Sequence, residues 1–160
     1  MLVSLGEGAA IFESIQGKLT TIADTSSGSI FKDFKSDVAL NQQGYVAFLA
    51  DLNDGSTAIY TQSATGLHKV IAVGDALDGS TVTSLFISHK GLNNNGQIAF
   101  DAVLANGGQE VFRADPVFVP NQSSVLSQSS VSLFGLVIFS VVSYYWRHRI
   151  QYSSDKPETR

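Results

Sequence analysis

Leu40-Asn41-Gln42-Gln43-Gly44-Tyr45-Val46-Ala47-Phe48 returns 52 positions later as Leu92-Asn93-Asn94-Asn95-Gly96-Gln97-Ile98-Ala99-Phe100. Each copy places Asn three residues before Gly and then enters an alternating apolar run. An Asn so placed caps a turn with its own side chain, while Gly supplies the positive φ that other residues resist. After the turn, Val46, Phe48, Ala50 and Leu52 fall on one face of an extended segment. Ile98, Phe100, Ala102 and Leu104 repeat that face. The pattern predicts homologous strands over 46–52 and 98–104, with Phe48 and Phe100 as their largest core side chains.

Outward from this pair, Ala10-Ile11-Phe12 recurs as Ala58-Ile59-Tyr60, and Ile22-Ala23 recurs as Ile71-Ala72. The matches keep their order, as a repeat with small loop insertions would. Asp54-Gly55 and Asn106-Gly107 provide hairpin chemistry before strands expected over 57–62 and 109–113. Further strands are expected over 67–73 and 82–87, and no segment of the body shows sustained helical periodicity. The predicted body is all-β over 1–115. It consists of two propeller-blade-like antiparallel β repeats, at about 9–57 and 58–113. Two such units cannot close a ring, and Leu2 to Gly8 resembles Leu49 to Gly55. The expectation is therefore a fragment of a longer array, with Met1 inside a strand.

Charge divides the chain. Residues 1–120 hold six Lys or Arg against twelve Asp or Glu, whereas residues 121–160 hold four against two. An acidic body without a basic stripe excludes nucleic acid as the expected partner, because that affinity comes mainly from neutralised phosphates. The absence of cysteine removes disulfide scaffolds, zinc–thiolate sites and cysteine nucleophiles. Met1-Leu2-Val3-Ser4-Leu5 lacks the basic and apolar regions of a secretory signal.

Residues 116–130 hold two prolines and five serines and read as an extended spacer. Residues 131–146 carry no charge and end in Tyr144-Tyr145-Trp146, directly before Arg147 and Arg149. As a helix this run would extend about 24 Å. With Ser and Gln back to Val125 it reaches about the length that a bilayer core requires. The aromatic residues suit an interfacial belt, and Trp146, Arg147 and Arg149 are the expected membrane-flanking residues. The reading is one C-terminal transmembrane helix over 131–146, with residues 147–160 cytoplasmic and the acidic body outside. The lipid bilayer is the expected partner.

The Val119-Pro120 element, the Ser-rich gap, the apolar run and the basic cluster together resemble a PEP-CTERM sorting tail. Val119-Pro120-Asn121-Gln122 stands where that family has Val-Pro-Glu-Pro. The body, with its paired Asn-x-x-Gly-x-Val/Ile-Ala-Phe units, is similar to extracellular repeat proteins that carry such tails. The resemblance implies Val119 and Pro120 as a sorting element, an exosortase-like processing enzyme as a partner, and a place in the cell envelope.

Chemistry-bearing residues are sparse. His68, His89 and His148 have neither a second His nor a carboxylate at ligand spacing, and no Gly-x-Ser-x-Gly elbow accompanies them. Asp51, Asn53 and Asp54, and then Asp75 and Asp78, offer oxygen donors of the kind Ca²⁺ takes, but turns require the same residues. Turns are the expected use, with no metal site, no cofactor and no catalytic residue. The predicted function is a membrane-anchored extracytoplasmic β-repeat domain with a binding or surface-structural role. The alternatives are part of a propeller enzyme whose active site lies on other blades, or a non-functional gene fragment.

Overall fold

A computed structural model describes residues 2–5, 8–15, 17–116 and 144–150. Every regular element among them is a strand, and the strands form three antiparallel sheets. The first sheet contains β1 (Leu2–Leu5), β2 (Gly8–Ile15) and β3 (Lys18–Asp24) in sequential order. The second contains β4 (Phe31–Leu40), β5 (Val46–Leu52), β6 (Thr57–Ser63) and β7 (Gly66–Ala72), also in sequential order. The third is built on β9 (Ser80–Leu92), β10 (Ile98–Leu104) and β11 (Gln109–Pro116). The short β8 (Ala76–Leu77) lies on one side of these strands and β12 (Tyr144–Ile150) on the other.

The repeated sequence makes a repeated register. Phe48 of β5 lies opposite Tyr60 of β6, and Phe100 of β10 lies opposite Phe112 of β11. Both ring pairs are stacked, at centroid distances of 6.1 and 5.9 Å. The two hairpins turn at Gly55 and Gly107, with φ of 89° and 87°, a region that glycine enters without steric cost.

The expected pair of blade-like units is corrected to three sheets. Ala10-Ile11 lies in β2 and Ile22-Ala23 in β3, so the matched residues before 25 form a sheet of their own that corresponds to β5–β7. A division at 57/58 falls within β6, inside the second sheet.

The expected transmembrane helix is overturned. No helix among the described residues is long and apolar enough to cross a membrane. Residues 131–143 lie outside the described residues, and Tyr144, Tyr145 and Trp146 are extended in β12, antiparallel to β11. The physical reason is that aromatic residues suit a pleated strand as well as a bilayer interface, and β11 offers a free edge for pairing.

The core is layered. Val46, Phe48, Ala50 and Leu52 face the first sheet and join Ile11, Ala23, Phe31 and Phe34. Ala47, Leu49, Ile59 and Ile71 face the third sheet and join Leu85, Ile87, Ile98 and Phe100. The second sheet is therefore buried on both faces. In β10 the alternation is cleaner, because Ala99 is exposed between buried Ile98 and Phe100.

Candidate functional site

At one end of the stack the two Asn turns bond to each other. Asn41 Oδ1 accepts the backbone N–H groups of Gln43 and Tyr45 at 3.0 and 2.9 Å, closing its own turn. Its Nδ2 donates to the carbonyl of Asn93 at 2.9 Å, 52 residues away in the next unit. The Gln42 N–H donates to Asn94 Oδ1 at 3.1 Å, and Asn94 Nδ2 donates to Gln42 Oε1 at 3.0 Å. Asn93 closes the second turn in the same way, through Asn95 and Gln97. The repeated motif thus caps each turn and also joins neighbouring sheets.

The other end is open. β5 leaves its turn at Val46, so Leu49 and Asp51 lie toward the far end of the strand. In β9 the turn follows Leu92, which places residues 83–87 toward the far end as well. Between them is a cleft of about 500 Å³, lined by Lys35, Leu49, Asp51 and residues 55–57 of the second sheet and by residues 83–87 of the third. Such volumes suit small-molecule ligands.

The polar wall of the cleft is an organised group. Asp51 lies opposite Thr57 in the β5–β6 register, so both side chains project from one face. Lys35 Nζ donates to Asp51 Oδ2 at 2.5 Å, and Thr57 Oγ1 donates to Asp51 Oδ1 at 2.8 Å. The Lys35 bond is the main reason the Asp51 carboxyl is held below its usual range, with burial opposing it and the Thr57 bond adding to it. The same bond raises the Lys35 ammonium above its usual value. Both groups are charged at neutral pH and cancel locally.

Three hydroxyls of the cleft spend their protons within the protein. Thr57 donates to Asp51, Ser56 Oγ donates to Asp54 Oδ1 at 2.6 Å, and Thr83 Oγ1 donates to the Val103 carbonyl at 3.0 Å. Each oxygen keeps acceptor capacity. Leu49, Val73, Leu85 and Ile87 supply apolar wall, whereas Phe86, opposite Asp101 in the β9–β10 register, is 52 % exposed on the outward face of the third sheet. The carboxylate of the cleft is thus paired with an ammonium and a hydroxyl.

A second hollow, of about 800 Å³, lies between the first and second sheets. Its polar wall includes the 41–44 turn, whose amides are engaged in the junction just described.

Of the residues singled out from sequence, Asp51 lies in the cleft, paired with Lys35 and Thr57, and the others are elsewhere. Val119 and Pro120 lie outside the described residues. Trp146 and Arg149 are paired with Ala114 and Phe112 in the β11–β12 ladder, and Arg147 lies in the same strand, remote in the sheet order from β9 and the cleft. Of the calcium candidates, Asp54 binds the Ser56 N–H and hydroxyl. Asn53 donates to the Ser29 carbonyl at 2.7 Å, and Asp75 accepts the Ala72 N–H at 2.9 Å and Lys69 at 3.3 Å. Asp78 holds a positive φ of 48° in a turn. His68 contacts Thr65 Oγ1 at 3.1 Å, and the three histidines occupy three different strands.

Lys35, Thr57 and Thr83 were not legible as a site, since 48 residues separate the first from the last.

No curated protein and no solved structure matches the chain. The model of a family described as "Family of unknown function (DUF7453)" matches residues 8–129. That match covers more than half of the chain and every strand from β2 to β11, and the chain belongs to this family.

Proposed function

We propose that this chain acts by binding and not by catalysis, as a β-repeat module whose ligand enters the cleft between the second and third sheets. The observation that carries this reading is the Lys35–Asp51–Thr57 group, set in a wall of apolar side chains at the open end of two sheets joined at their other end. A concave site with apolar walls and a few convergent polar groups is the usual form of a ligand pocket. Its place of action is proposed to be outside the cytoplasm, on the resemblance of the body to extracellular repeat proteins.

The test is a thermal-shift screen of the full chain against small-molecule libraries, repeated on Thr57→Trp, whose indole projects from the face that carries Asp51 into the cleft. Compounds that raise the melting temperature of the wild-type chain and lose this effect in Thr57→Trp support the reading. Compounds that stabilise both chains equally bind elsewhere and overturn it, as does a screen with no stabilising compound.

A further inference from the structure

We infer that the ligand of this cleft is a neutral polyhydroxylated compound, that is, a saccharide. The inference rests on the binding reading above and adds the chemical class. Two features of the lining select it.

The first is charge balance. Lys35 and Asp51 are the ionised groups of the cleft, and they neutralise one another at 2.5 Å. An anionic ligand approaching the ammonium also meets the carboxylate, and a cationic ligand meets the reverse. A hydroxyl does not have this conflict, since one O–H donates to a carboxylate and accepts from an ammonium with the same oxygen. Asp51 retains a lone pair on each oxygen beyond those used by Lys35 and Thr57, and Lys35 retains two N–H donors.

The second is the state of the wall hydroxyls. Ser56, Thr57 and Thr83 direct their protons into the protein, so they face the cleft as acceptors. Rows of acceptors call for a ligand rich in donors. A sugar supplies one on nearly every ring carbon.

An extended peptide would also use hydrogen bonds here, but it would not account for the charge balance or the acceptor-rich wall.

The experiment is calorimetric titration of the full chain with neutral pyranose mono- and disaccharides, their uronate and amino-sugar counterparts, and a short uncharged peptide. The expected result is binding of a neutral sugar, with its charged counterparts weaker. Asp51→Asn and Lys35→Met should each weaken binding by about tenfold, as loss of one charge-assisted bond does. The side chains of Lys35 and Asp51 are 48 % and 29 % exposed, and both variants should keep the fold, which circular dichroism checks. Binding of a charged sugar or of the peptide in preference to neutral sugars would overturn the ligand class and leave the cleft as a binding site. Neutral-sugar binding indifferent to Lys35→Met and Asp51→Asn would overturn the location. Failure of every compound, here and in the wider screen, would overturn both readings.

Discussion

Asp51 shows how one residue can serve a site without adding much to stability. Its partner Lys35 has a side chain 48 % exposed and Asp51 itself is 29 % exposed, so water screens the pair. Such pairs contribute at most about 1 kcal/mol. The pH dependence follows from the two shifts. The Asp51 carboxyl is held below its ordinary 3.8, so its contribution is present above that value and is lost as pH falls through the folded value. The Lys35 ammonium is held above its ordinary 10.5, so its contribution is present below that value and is lost as pH rises through the folded one. Between these limits the stability difference between wild type and Asp51→Asn should be flat and no more than about 1 kcal/mol. It should shrink in acid below the ordinary aspartate value. Urea unfolding at a series of pH values measures it, and a difference that grew in acid would contradict the pairing. Gly91 shows a constraint of another kind. A Cβ there would come within 2.7 Å of the Ala99 carbonyl oxygen, so β9 and β10 pack where no larger residue fits. A glycine inside an otherwise ordinary strand segment announces this only once its neighbour across the sheet is known.

At the scale of elements, the Asn turn has two functions that one substitution can separate. In Asn41 the oxygen closes the turn and the nitrogen reaches the next sheet, whereas the Asn93 nitrogen turns back to Gln97 Oε1 at 2.7 Å within its own unit. Asn→Asp keeps the oxygen acceptor and removes the N–H donor. Asn41→Asp should therefore cost more than Asn93→Asp, by about 1 kcal/mol, the net worth of a typical hydrogen bond. Chemical denaturation of the two variants decides it, and equal losses would mean that the junction between sheets carries no energy. The turn and its strand were legible because the information is local. Asn, Gly and four alternating apolar residues fix β5 and β10 to the residue, at Val46–Leu52 and Ile98–Leu104. The run 131–146 reads as a helix by the same local rules, yet its last three residues are extended against β11. Tyr-Tyr-Trp satisfies an interfacial belt and an edge strand alike, and only the presence of an open sheet edge distinguishes them. The cleft was hidden for a related reason. It draws Lys35 from β4, Asp51 from β5 and residues 83–87 from β9, and no spacing rule links three strands from two sheets.

At the scale of the whole molecule, burial on both faces makes the second sheet the centre of stability. Phe48 is fully buried on the side of the first sheet, and Ile59 is fully buried on the side of the third. The β5 sequence carries both cores, with Val46, Phe48, Ala50 and Leu52 on one face and Ala47 and Leu49 on the other. By contrast, the outward face of the third sheet has Asp101 at the position of Leu49, and Ala99 there is exposed. Stacked repeats gain their stability from the interfaces they share, so a unit with two interfaces outlasts a unit with one. Native-state hydrogen exchange should therefore find the slowest amides in β5 and β6, with β9 to β11 opening at lower free energy. Ile59→Ala removes side-chain contacts with the third sheet and should cost about 2–5 kcal/mol. Its effect should be largest on protection in β9 and β10, because those strands lose their support while Phe48 keeps its own. Uniform loss of protection across all three sheets would show a single cooperative unit. Third-sheet amides that outlast those of β5 would overturn the assignment of the second sheet as the core of the stack.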